Sequence, residues 1–238
     1  MRSPRSVART PERLRSIKRH VGVLGGTFDP IHIGHLIIAQ EVVVALHLDT
    51  LYFLPAGDPP HKRDHSITPA HHRQRMVELA IAGNPSFAIS LVDLERPGPS
   101  YTVDTLRLLR EAWGPATSIA FVLGWDMLDD LLTWHDPAGV VQQADTLVAV
   151  HRPGYQLDPH YLTSLEAAVP GIKERLVPLE APQMAISSSD LRQRVATHRP
   201  IRYQVPDAVE AYILAHGLYS QPVPAVPDHR HSEPHHAY

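Results

Sequence analysis

Gly25-Gly26-Thr27-Phe28-Asp29-Pro30-Ile31-His32-Ile33-Gly34-His35 is the stretch that decides how this chain reads. The apolar residues Val21, Val23 and Leu24 stand before it and read as a strand. Leu36-Ile37-Ile38-Ala39-Gln40-Glu41-Val42-Val43 follows it and reads as a helix. A strand, a glycine-rich turn and a helix start make an anion site. The first amides of a helix lack an internal partner, and the helix dipole favours negative charge there. Two histidines, three positions apart, stand at that mouth. Protonated imidazole donates charge-assisted hydrogen bonds and neutralises charge developing on phosphate oxygens. Phosphate handling is therefore the leading expectation. The spacing is neither that of the dinucleotide fingerprint nor that of the P-loop. Zinc on His32 and His35 would need a third ligand from elsewhere, and none stands close in sequence.

Working outward, strand-like runs recur at 21–25, 50–54, 87–92, 118–124 and 146–150, with a weaker one at 175–179. Helical patterns lie at 34–47, 69–82, 102–113, 158–168, 189–196 and 206–216. Pro69 and Pro206 suit a first helical turn. Regular alternation of the two predicts an α/β fold, a doubly wound parallel sheet covered on both faces. Ligands of such sheets bind beyond the C-terminal strand ends, at the point where the strand order reverses. The glycine-rich turn and the segments 55–64, 95–101 and 124–134 all follow strands, so chemistry should gather there. No internal repeat interrupts the pattern.

Composition sets the limits. The 238 residues suit one large domain, with no cysteine for disulfides or thiolate metal sites. No apolar run approaches the ~20 residues of a membrane span, and no secretory signal is visible. A cytoplasmic protein without membrane association is expected. The net charge of −3 hides an asymmetry: residues 1–20 carry seven Lys or Arg against Glu12 alone. A basic arm can bind nucleic acid, but the plainer reading is a disordered, solubilising extension over 1–19. Residues 221–238 are rich in Pro and His and read as a second disordered tail. The folded domain is then 20–220. Nothing in the chain decides whether it forms a homo-oligomer.

A second cluster stands far along the chain. Ile186-Ser187-Ser188-Ser189-Asp190-Leu191-Arg192 reads as a hydroxyl-rich helix start with an arginine in the first turn, matched to a polyphosphate tail. Alone it could be a serine cap on an ordinary helix. With the first motif it resembles the H-x-G-H nucleotidyltransferase superfamily, whose second element is Ile-Ser-Ser-Thr-x-Ile-Arg. Here Ser189 stands for the threonine and Leu191 for the isoleucine, so a hydroxyl and an apolar contact survive. Further segments follow in order: Pro59-Pro60-His61-Lys62, Ser100-Tyr101-Thr102, Gly124-x-Asp126, Trp134, His151-Arg152-Pro153-Gly154 and Arg202-Tyr203-x-Val205-Pro206. Together they are similar to the bacterial nicotinate-nucleotide adenylyltransferase family over about 20–219.

The resemblance implies a Rossmann-like sheet and adenylyl transfer from ATP to nicotinic acid mononucleotide, giving deamido-NAD and pyrophosphate in NAD biosynthesis. It implies His35 at the α-phosphate, His32 beside the phosphate chain, and Ser187, Ser188 and Arg192 on the β- and γ-phosphates. Gly25, Gly26, Thr27, Phe28, Gly124, Asp126 and Ile186 would complete the ATP site. Lys62 would hold the mononucleotide phosphate, Tyr101 and Thr102 the nicotinate carboxylate, and Trp134 the pyridine ring, with Arg152 nearby. Mg²⁺ would arrive with ATP, held mainly by phosphates and water and by no dedicated carboxylate cage. Bland readings remain beside these. Lys62 and Arg152 could be solvated surface charges, Trp134 a core residue, and Thr102 a helix cap. Asp29 either fixes the turn or touches a ligand, and His71 and His72 read as structural. Rival functions are a pantetheine-phosphate adenylyltransferase of the same superfamily, a non-catalytic ATP-binding module, and a nucleic-acid binder acting through the basic arm.

Overall fold

The computed structural model describes residues 19–57, 67–151, 158–182 and 184–220. Both terminal tails, Lys62 and Arg152 lie outside the described residues. Arg19, assigned to the tail on sequence, instead opens the first strand.

Six parallel strands form one sheet in the order β3-β2-β1-β4-β5-β6. They are β1 (Arg19–Gly26), β2 (Thr50–Pro55), β3 (Phe87–Ile89), β4 (Thr117–Gly124), β5 (Thr146–His151) and β6 (Leu176–Glu180). The α/β expectation is met, and the strand order reverses between β1 and β4. Period-two alternation explains why both strand faces are apolar. In β4, Ala120 and Val122 face one core while Ile119, Phe121 and Leu123 face the other. In β5, Val148 and Val150 face the first core, and Leu147 and Ala149 the second.

On the first face lie α1 (Ile33–Ala45), α2 (Ala70–Ile81), α9 (Ser188–Ala196) and α10 (Asp207–Ala215), which bury Ala39, Val42, Met76, Leu191, Val209 and Ile213. On the second lie α4 (Thr102–Trp113), α6 (Pro137–Gln143), α7 (Pro159–Ala168) and α8 (Ile172–Arg175). Two short helices complete the set, α3 (Val92–Glu95) and α5 (Trp125–Asp130). Four helices, α3, α5, α6 and α8, were absent from the sequence pattern. The predicted strand at 87–92 stops at Ile89, because Val92 already opens α3. The two helix-start prolines sit one position earlier than expected, as caps of α2 and α10. Among the described residues no helix is long and apolar enough to cross a membrane.

Candidate active site

Gly25 and Gly26 end β1 at the reversal point, as the pattern required. Gly26 has a packing reason: a Cβ there would lie 2.9 Å from the Phe28 ring. Gly25 is under no such pressure, since its Cβ would meet only ordinary contact at 4.0 Å. Phe28 is buried and held at φ +50°, a left-handed conformation that a bulky residue adopts only under surrounding constraint. Its ring meets His35 edge-on at 5.1 Å.

His32 caps α1 and His35 is its third residue, so both rings fold over the helix start. They stack 3.7 Å apart at 24°. His35 Nδ1 accepts the His32 backbone N–H at 3.2 Å, which puts the proton of the neutral His35 ring on Nε2. His32 is only 7% exposed, and its Nδ1 has no hydrogen-bond partner among the described residues. Burial alone lowers its pKa to about 4, so this imidazole is neutral at neutral pH. Gly34 makes room for it: a Cβ would stand 3.1 Å from His32 Nδ1. The helix-dipole reading needs amendment here. The Ile33 N–H already donates to the Gln204 carbonyl, and those of His35 and Leu36 donate to the His32 carbonyl. Anion contacts at this mouth therefore fall chiefly on the side chains. The Gln204 bond also gives the Arg202–Pro206 segment its place, against the start of α1.

The second motif lies against the first. Ser188 Oγ donates to the Pro30 carbonyl at 2.9 Å, and the Arg192 guanidinium donates to the Asp29 carbonyl at 2.7 Å. Ser187 caps α9, its hydroxyl accepting the Asp190 N–H at 3.1 Å. Arg192 begins the second turn of α9, not the first, and reaches back to Ser189 Oγ at 3.2 Å. Ile186 packs on the core just before the cap. The Asp29 carboxylate resolves to a structural role. It accepts the Tyr219 hydroxyl at 2.6 Å and the Thr68 N–H at 3.2 Å. Burial first, then Asp29, push the Tyr219 phenol far above its ordinary pKa, so it remains a donor.

Gly124 and Asp126 stand at the β4 end, with the Asp126 carboxylate folded over Gly124 where a Cβ would collide. Segment 124–134, expected to follow a strand and gather chemistry, forms α5 and a 3-10 turn over Leu131–Thr133. Trp134 follows that turn, half-buried and edge-on to Phe121 at 6.3 Å. Its neighbour His135 lies on Tyr101 at 4.4 Å, which makes an aromatic wall that sequence reading missed. Tyr101, not Thr102, caps α4, so the cap reading of Thr102 is corrected. Behind this wall the Asp93 carboxylate accepts the Thr105 hydroxyl at 2.6 Å and Arg96 Nε at 3.0 Å. Arg96 also reaches the Tyr101 carbonyl at 3.3 Å, and thereby braces the turn before α4. His72 is structural, as read: its Nδ1 bonds the Tyr212 hydroxyl at 2.8 Å across α2 and α10, and His71 lies exposed beside it.

A parallel sheet with a histidine-bearing turn at its reversal point, joined there to a serine-capped helix and its arginine, defines a nucleotidyltransferase-type protein. A model of the cytidylyltransferase-like family matches residues 23–194. Relatives named "Probable nicotinate-nucleotide adenylyltransferase" are 50% identical in Thermomicrobium roseum, over 84% of this chain and 91% of theirs, and 45% identical in Thermus thermophilus, over 84% and 98%. The chain belongs to the nicotinate-nucleotide adenylyltransferase family. The fold matches solved structures of low identity. One is the Plasmodium falciparum nicotinic acid mononucleotide adenylyltransferase complexed with NaAD, with TM-score 0.67 and 22% identity over 85% of this chain and 98% of that one. Another is "The Crystal Structure of a Putative Nicotinate-nucleotide Adenylyltransferase from Vibrio parahaemolyticus", with TM-score 0.58 and 18% identity over 86% and 98%.

Proposed function

We infer that this chain transfers the adenylyl group of ATP to nicotinic acid mononucleotide, forming deamido-NAD and releasing pyrophosphate. The observation that carries the reading is the junction of the two motifs at Asp29–Pro30, which brings Arg192 and Ser188 to the turn that presents His32 and His35. A mononucleotide phosphate oxygen attacks the α-phosphorus in line, and the bond to the β-phosphate oxygen breaks as pyrophosphate leaves. The nucleophile is already anionic near neutral pH, so positioning and charge stabilisation supply the catalysis. In this reading His35 meets the α-phosphate and His32 the phosphate chain, while Ser187, Ser188 and Arg192 hold the β- and γ-phosphates. Gly25, Gly26, Thr27, Phe28, Gly124, Asp126 and Ile186 enclose the nucleotide. Tyr101, Thr102 and Trp134 are assigned to the nicotinate, and Lys62 and Arg152, which lie outside the described residues, to the mononucleotide phosphate.

Mg²⁺ belongs to the substrate in this proposal, shared between triphosphate oxygens and water. Such an ion needs no protein cage. The 20–220 domain acts in the cytoplasm with ATP and the mononucleotide as its partners, a reading supported by the cysteine-free composition. The test is pyrophosphate release from ATP supplied in turn with the acid mononucleotide, the amide mononucleotide and pantetheine phosphate. Release with the acid mononucleotide is expected. Release with pantetheine phosphate instead, or ATP binding with no release for any acceptor, would replace this reading with one of its rivals.

A further inference from the structure

Among the described residues Arg73 is the largest side chain that is fully buried, at 1% exposure. It stands in the first turn of α2, where the helix dipole disfavours a cation, and it is removed from water. The ion pairs formed among the described residues do not include it. Four of its five N–H groups go to main-chain carbonyls. Nε donates to Thr68 at 2.8 Å, one terminal nitrogen to Thr27 at 3.0 Å and Ala56 at 2.7 Å, and the other to Gly57 at 3.4 Å. A leucine or methionine would fill the volume more cheaply. The guanidinium is there for the carbonyls it joins.

Those carbonyls come from two walls of the site. Thr27 belongs to the turn that receives ATP. Ala56 and Gly57 follow β2, and Gly57 continues the line: its N–H donates to Ser100 Oγ at 3.0 Å, next to Tyr101. A Cβ on Gly57 would collide with the Asp93 carbonyl, so this contact is close-packed. One unbroken chain of bonds thus runs from the nucleotide turn through Arg73 and Gly57 to the turn before α4.

We propose that Arg73 is a positioning residue that holds the ATP turn and the acceptor wall at a fixed separation, and so sets the distance between nucleophile and α-phosphorus. This rests on the adenylyl-transfer reading above. A misplacement of about 1 Å costs roughly 10²-fold in rate.

The test compares wild type, Arg73→Lys and Arg73→Met by steady-state kinetics, calorimetric ATP affinity and folded fraction from circular dichroism. Lysine keeps the charge but cannot span four carbonyls. Arg73→Lys is expected to bind ATP within about 3-fold of wild type, with kcat down by about 10²-fold and KM for the mononucleotide up by about 10-fold. A fall in kcat that only matches lost folded fraction, at unchanged KM, overturns the proposal. Should both Arg73 variants fail to fold, Ser100→Ala cuts the same chain at its far end. It is expected to raise the mononucleotide KM by about 3- to 10-fold at constant ATP affinity, and an unchanged KM overturns the proposal. A wild-type enzyme that releases no pyrophosphate overturns both readings, whereas an active wild type with unchanged variant KM overturns this one alone.

Discussion

His32 and His35 share a stacking contact of 3.7 Å yet differ in surroundings. His32 is buried, with its pKa lowered to about 4 by desolvation. The unfolded chain takes up this proton near pH 6.5 while the native chain does not until about pH 4. The His32 contribution to stability is therefore full above pH 6.5 and is lost as pH falls toward 4, by about 3 kcal/mol. Unfolding of wild type and His32→Asn, compared at pH 7 and pH 4.5, should show wild type losing its relative advantage at the lower pH. Equal differences at both pH values would reject the assignment. For His35 the expectation is kinetic. Removing a donor aimed at transition-state charge should lower kcat by roughly 10²–10³, and His35→Ala within a few-fold of wild type would count against its role. The motif shows two imidazoles but not their inequality. That depends on how Gly34 lets one ring sink under the helix start, which spacing does not display.

At the level of elements, long periodic runs were readable and short helices were not. Strands buried on both faces print as short continuous apolar runs, as in β4 and β5, and amphipathic helices such as α4 print their 3.6-residue period. By contrast α3 and α5, of 4 and 6 residues, are too short for a period to emerge. The two helix starts of the candidate site were legible because serine caps and glycine turns have local chemistry. The brace behind the acceptor wall was not, because Asp93, Arg96 and Thr105 meet only once α3 has folded against α4. Asp93→Ala would leave a largely buried Arg96 without its carboxylate. We expect a loss of about 3 kcal/mol in urea unfolding, with a raised KM for the mononucleotide. A stability change below ~0.5 kcal/mol would show that the pair carries no weight.

Across the whole molecule, the sheet brings its site together from distant parts of the chain. The strand order reverses between β1 and β4, and the turn leaving β1 is gripped by α9 through Ser188 and Arg192 and by Tyr219 after α10. Sequence reading placed both motifs on one rim. It gave no sign of Tyr219, whose partner lies 190 positions earlier. Tyr219→Phe keeps the ring and removes one donor from a buried carboxylate. A loss of about 2 kcal/mol in urea unfolding, with an unchanged denaturant slope, is expected. A midpoint equal to wild type would mean that Asp29 is held without it.

That bond makes the turn after β1 depend on a residue translated long after it. A ribosome that stalls before Leu218 releases a polypeptide carrying every signature histidine, serine and arginine, yet lacking the phenol that fastens Asp29. Such a product is expected to unfold at lower urea, and to be cut faster by proteases, than a chain that includes Tyr219.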